Sequence, residues 1–396
     1  MNHTKKLRRC FVALAIILIC GFIALGGSVL FYYSDQFALP LNPLVKGDFP
    51  SNLIWTYSAK DRIVSTPVIY NSLIFIRTRR SLIAINASNG HQLWRVESDV
   101  PTRINTGDLT VSPLVNNDLV IVAEEGSRLS AFSTDTGKVE WTTPPIEVNL
   151  QNPVTASIEA YAINGNRLFV ARSSWKISAY DLRNGNILWE KRLPNKALLD
   201  LETNSRKVYI SAGNLLQVYD SITGDILWEK NFGAYVGPIL LGDDTLYVVL
   251  SFGPKNLVAI NLDTMNTLWS IDNYLFKDQE LRTLALGEDV LIVGSDRLYA
   301  ISKIDGSILW TSEETGPLER PLVLDKKVIV RNTDKELFLF DGESGEKLGY
   351  LLVRANTQMK HEPERSPTVV DDLIIVPFGD DRIFAYRING SLPLER

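Results

Sequence analysis

The sequence predicts an all-β fold: an eight-bladed β-propeller of four-stranded blades. Its ring is closed by the N-terminal strand, which completes the last blade, and one transmembrane helix precedes it. Three observations carry this reading. Tryptophan recurs at intervals of roughly forty residues, a turn motif of constant length precedes each copy, and a long uncharged run lies near the N-terminus.

The period comes first. Trp55, Trp94, Trp141, Trp189, Trp228, Trp269 and Trp310 stand 39, 47, 48, 39, 41 and 41 residues apart, and a further 39 reaches Gly349. Only Trp175 is out of register. Repeats of this length are supersecondary units that cannot bury their apolar faces alone, so they stack or close into rings.

The motif comes next. Ala84 to Trp94 reads AINASNGHQLW, Ala179 to Trp189 AYDLRNGNILW, Val218 to Trp228 VYDSITGDILW and Ala300 to Trp310 AISKIDGSILW. Each is a hairpin. Asn86, Asp181, Asp220 or Asn261 at the head of the turn can accept hydrogen bonds from the turn's own N–H groups. Gly90, Gly137, Gly185, Gly224, Gly306 and Gly345 supply a positive φ without steric cost. Met265 occupies that position in the fifth copy, so its turn is expected to be strained or differently shaped. The indole that follows is large enough to fill the gap between two sheets.

Two shorter strands precede each hairpin, for example Ser112 to Asn116 with Leu119 to Glu124, and Arg282 to Leu286 with Val290 to Gly294. Four strands in about forty residues make one blade. The last copy starts at Pro367 and lacks its tryptophan strand, while SNLIWTY, Ser51 to Tyr57, is a tryptophan strand without a blade. Pairing the two closes the ring and hides the sheet edges.

The N-terminus is read separately. Phe11 to Tyr33 is a run of 23 residues without a charge, and about 20 apolar residues span a bilayer as helix. Lys5, Lys6, Arg8 and Arg9 precede it, which orients residues 1–10 to the cytoplasm and the propeller outside. The chain then divides into a basic N-terminus at 1–10, a signal-anchor helix at 11–33, a linker at 34–50 and the propeller at 51–396. The expected location is the cell membrane, single-pass, with the propeller extracytoplasmic. Cleavage after Gly26 is the competing reading, and Val29 to Tyr33 continue the apolar run past it. A lipoprotein signal would place a small residue before Cys20, where Ile19 stands.

Composition excludes several functions. The formal net charge is −5, so the basic footprint of a nucleic-acid binder is missing. Cys10 and Cys20 are the only cysteines and His3, His91 and His361 the only histidines. A disulfide framework, a Cys-based zinc site and a histidine triad cannot be written for the propeller. Adjacent acids such as Asp243-Asp244 and Asp371-Asp372 alternate across a strand or sit at turns, and none is assigned to catalysis.

Through these repeats the chain from Ser51 to Arg396 resembles the PQQ-like, quinoprotein-type β-propeller repeat family, whose motif runs A-x-D-x-x-T-G-x-x-x-W. Two branches of it imply different functions. The dehydrogenase branch would bring PQQ and calcium, but the propeller lacks the adjacent cysteines and any segment like its cofactor motifs. The non-enzymatic branch includes the BamB-type lipoproteins of outer-membrane β-barrel assembly, which the chain resembles in blade number, length and export. It departs from them in having an apolar anchor and no lipobox.

The expected function is therefore a non-catalytic, membrane-anchored, extracytoplasmic platform for a protein partner in the envelope. No cofactor, metal or nucleic acid is expected. The alternatives are a PQQ- and calcium-dependent oxidoreductase and a small-ligand or glycan sensor. Loops held on a rigid scaffold are where binding resides. The long ones are Asp99 to Thr110, Thr142 to Pro153, Arg354 to Ser366 and Ser251 to Asn256, which a propeller gathers on one face. Candidate partner-binding residues there are Trp175, Arg103, His361, Glu364 and Arg365. Arg77-Thr78-Arg79-Arg80 reads as a small basic patch.

Overall fold

The computed structural model describes residues 45–46, 51–98, 112–124, 127–145, 157–194, 198–276, 281–334, 336–353, 366–378 and 381–388. The predicted transmembrane helix and most of the predicted linker lie outside them. Among the described residues, no helix is long and apolar enough to cross a membrane.

The described strands form eight antiparallel sheets. Blade 1 runs Val68–Tyr70, Leu73–Arg77, Ser81–Asn86 and Gln92–Glu97, in that order from inner to outer strand. Blades 2 to 7 repeat the order. Blade 8 is built from Thr368–Val370, Leu373–Phe378 and Arg382–Ile388, and its outer strand is Ser51–Ser58 from the start of the propeller. Ring closure and the closing strand are as the sequence predicts. The seventh sheet carries a two-residue fifth strand, Val45–Lys46, within what the sequence marks as linker.

The core lies between blades. Eight buried apolar clusters each combine residues of two neighbouring blades, and together they run once round the ring. One joins Ile83 of blade 1 to Ile375 of blade 8 across Trp55 of the closing strand. Second and third strands are almost wholly buried, whereas the outer strands alternate with solvent. A short 3₁₀ turn, Asn273–Phe276, covers the junction of blades 5 and 6, with Phe276 fully buried against Tyr299.

Every outer strand carries a bulge at the residue before the tryptophan position. In blade 1, Ala84 pairs with Trp94 and Ile85 with Gln92, leaving Leu93 without a partner in the ladder. The same residue is skipped at Ile54, Glu140, Leu188, Leu227, Leu268, Leu309 and Leu348. The extra residue bends the strand and increases its twist. It sends the leucine of the Leu-Trp pair to solvent and the indole toward the next blade.

Candidate functional site

The strand order gives the ring two faces. One gathers the turns between first and second strands and between third and fourth strands; we call it the turn face. The other gathers the loops between second and third strands and the connections from blade to blade; we call it the loop face.

The turn face is stereotyped. In each tight hairpin the residue at the glycine position donates its N–H to the carbonyl four residues back, as Gly224 does to Asp220 (2.9 Å) and Gly345 to Asp341 (2.9 Å). The Asp220 carboxylate accepts the N–H groups of Ile222 and Thr223, both at 2.8 Å. Those donors hold its pKa below the usual carboxylate value. Asp181 is held lower, at about 2, because the Arg183 guanidinium adds hydrogen bonds to the backbone one. The paired acids Asp243-Asp244, Glu288-Asp289 and Asp371-Asp372 all lie in turns of this face.

The same turns lock neighbouring blades together. Trp189 Nε1 donates to the Ser221 carbonyl of the next blade at 3.2 Å, and its ring lies where a Cβ on Gly224 would come within 2.6 Å. Equivalent pairs are Trp55 with Gly90, Trp94 with Gly137, Trp141 with Gly185, Trp269 with Gly306 and Trp310 with Gly345. Each of these indoles also donates to a carbonyl three residues before its glycine. The glycines thus serve twice, for positive φ and for the close approach of a ring.

The junction of blades 4 and 5 is different. Met265 keeps the hairpin shape of its relatives, with its N–H on Asn261 O at 2.9 Å, and adopts φ +55° to do so. Of the two outcomes the sequence left open, the turn is strained and not reshaped. Trp228, like Trp94, is partly buried, and the Leu262 carbonyl, the counterpart of those the other indoles use, accepts from Lys207 Nζ. Between blades 7 and 8, where Gly349 replaces the indole, a buried ion pair adds a polar link to the apolar cluster. Arg331 donates to both oxygens of Glu319 at 2.8 Å and to the Pro377 carbonyl of blade 8 at 3.1 Å.

The loop face is irregular. Of the predicted partner-binding residues, Arg103, His361, Glu364 and Arg365 lie outside the described residues. Trp175 is described. It sits in the loop between the second and third strands of blade 3 at φ +60°, half-buried against the cluster joining blades 3 and 4. Its N–H and carbonyl are both engaged, with Arg172 O and Leu193 N. The basic run Arg77 to Arg80 is corrected: Arg77 is turned into the protein, and Arg79 and Arg80 alone are exposed. The extended loop at Ser251 to Asn256 is also shorter than predicted, because its strands run on to Ser251 and from Lys255.

That short loop holds the side chain that sequence reasoning missed. Phe252 is 89% exposed and has φ +60°. The same loop contributes Pro254 to a cleft of about 200 Å³ that opens between blades 4 and 5. Its lining includes Lys230, Phe232, Pro254 and Lys255. The signal in the sequence was the Phe-Gly-Pro triplet, which interrupts an otherwise regular alternation.

First strands of successive blades converge on the ring axis. On that of blade 4, Asp200 accepts the N–H groups of Leu201 (2.9 Å) and Ile239 (3.1 Å), the second from blade 5. Glu202 lies two residues on, and burial pushes its pKa up to about 7, with Asp200 adding to the rise. Arg320, entering blade 7, is within electrostatic reach of both and lowers each. Among the described residues, no group of three or more His, Cys, Asp or Glu could hold a metal ion.

Eight four-stranded blades, joined by indoles seated on turn glycines, define a propeller of the quinoprotein-type repeat class. The family model described as "Outer membrane protein assembly factor BamB" matches residues 50–271 and 254–396, and the chain belongs to that family. The chain is 25% identical over 297 residues to the outer membrane protein assembly factor BamB of Shewanella oneidensis, a match covering 74% of this chain and 63% of that protein. It is 24% identical over 359 residues to the Salmonella typhimurium protein of the same name, covering 75% of this chain and 90% of that one. Among solved structures, BamB from Moraxella catarrhalis superposes with a TM-score of 0.65 at 16% identity, covering 86% of this chain and 99% of that chain. At that identity the likeness speaks for the fold alone.

Proposed function

We propose that this chain is a non-catalytic propeller of the cell envelope that serves protein assembly at the outer membrane. In this reading the run Phe11 to Tyr33 holds it to the cell membrane, with residues 1–10 in the cytoplasm. The loop face receives a partner protein. Family membership supports the assembly role. The contrast between faces supports the choice of surface: the Asp and Asn side chains that head the turns are spent on their own backbone and the turn glycines on the blade junctions, whereas the loop face carries an exposed aromatic in a loop that also lines a cleft. Binding residues concentrate where a rigid scaffold presents variable loops.

The test is cross-linking of the full-length chain in intact membranes. Repeated recovery of one envelope protein, with adducts on loop-face residues, is the expected result. Absence of any protein adduct, together with stoichiometric uptake of PQQ and calcium and dye reduction by an alcohol, would overturn the proposal.

A further inference from the structure

We infer that the cleft between blades 4 and 5 on the loop face takes an apolar side chain from an acidic, extended segment of the partner protein, with Phe252 as its lip. The inference rests on the platform reading above and adds the chemistry of the segment bound.

The cleft has the chemistry of a side-chain receptor. Phe232, Ala234, Leu250, Pro254 and Val258 give it apolar walls, and at about 200 Å³ it has room for a large apolar side chain. Lys230 and Lys255 contribute charge to the same lining. The Lys255 ammonium is paired with Asp272. That of Lys230 stands 4.9 Å from the Phe232 ring centroid and 3.3 Å from the Thr267 hydroxyl, neither of which neutralises it. Among the described residues, these two cations face one carboxylate, which leaves the cleft positive, and complementary charge selects an acidic visitor.

The lip is held in place. A Cβ on Gly253 would meet the Ala234 Cβ at 2.5 Å, so the loop is seated directly on the buried start of blade 5. With Gly253 pressed inward and Pro254 restricting the next φ, Phe252 is turned to solvent at φ +60°. A left-handed backbone at a bulky non-glycine residue costs free energy and is found at binding sites more than elsewhere. An exposed aromatic in a loop that also lines an apolar cleft can bury both in a partner, which is the anatomy of a protein-binding hot spot.

The experiment places a photo-cross-linking phenylalanine at position 252 of the full-length chain in its own membranes. A second chain carries it at Arg79, on the same face but in blade 1. Adducts are mapped by mass spectrometry. The expected result is a protein adduct at 252 whose cross-linked segment carries Asp or Glu beside an apolar residue. Combining Lys230→Glu with Lys255→Glu is expected to reduce that adduct more than tenfold and leave the Arg79 adduct unchanged. An unchanged 252 adduct in the double reversal, a basic segment, a lipid adduct or a dimer of this chain would each overturn the inference while the Arg79 adduct keeps the platform reading. Loss of protein adducts at both positions would overturn both. Thermal melting of the double reversal shows whether the ring is intact, and Lys230→Gln with Lys255→Gln serves as the milder pair, expected to weaken the 252 adduct severalfold.

Discussion

Six blade junctions seat an indole on a glycine, and the junction between blades 4 and 5 seats Trp228 near Met265. The turn keeps one shape in both kinds, so hairpin geometry is set by its hydrogen bonds and not by glycine as such. What glycine adds is room. Where it is present the indole reaches a carbonyl of the next blade; where methionine stands Lys207 donates to the corresponding carbonyl. The cleft lies along this one irregular junction, and the exposed Phe252 stands in the loop that supplies its Pro254. A repeat that departs from its own rule therefore marks where the ring does something besides hold itself together.

The largest expected effect tests the indoles directly. Trp189→Ala removes a buried ring and its hydrogen bond and is expected to destabilise the chain by about 3–5 kcal/mol. Trp228→Ala, starting from a half-buried ring, is expected to cost about 1–2 kcal/mol. Denaturant unfolding of the detergent-solubilised full chain measures both, and equal losses would erase the distinction between junctions. At the junction that lacks an indole, Glu319→Gln strands the buried Arg331 guanidinium. A loss of about 3 kcal/mol is expected from that broken pair, read in the same unfolding assay.

Glycine exchanges sharpen the comparison further. Gly224→Ala would put a Cβ against the Trp189 ring at φ +70°, and about 2–4 kcal/mol should be lost to strain and overpacking. Met265→Gly relieves a strained φ and frees the unfolded chain, two opposing effects of about 1 kcal/mol each. Its melting temperature should stay within a few degrees of the parent, while that of Gly224→Ala falls.

The smallest effect depends on pH. Glu202 has a folded pKa of about 7, above the 4.5 of a free glutamate. A raised carboxyl pKa means that the folded state favours the protonated form. Its contribution is full below pH 4.5 and is lost as pH rises through 7. Glu202→Gln should therefore leave stability unchanged at pH 4 and raise it by about 1–2 kcal/mol at pH 8. Unfolding curves at the two pH values check the sign.

Much of the fold was legible because the repeat encodes it redundantly. The tryptophan period, the Asp or Asn turn and the orphan strand at Ser51 all pointed to one closed ring, and the closing strand runs from Ser51 to Ser58 as read, within a residue. The outer-strand bulge was not legible. Leu93 or Leu227 beside a tryptophan looks like core, and only the pairing shows that one residue is skipped and turned to solvent. Arg77 was misread for the opposite reason: a cation in a basic run looks exposed, yet its strand carries it inward. Phe252 fell within a loop already assigned to this face but was not singled out, because only the structure shows Gly253 seated on Ala234 and the ring turned to solvent.

The most direct test sets the two faces against each other. Photo-cross-linkers are placed one at a time at Phe252 on the loop face and at Ile304 on the turn face, residues that are 89% and 91% exposed. Equal exposure removes accessibility as an explanation. The account predicts a protein adduct from position 252 and none from position 304. A protein adduct from 304 with none from 252 would contradict it.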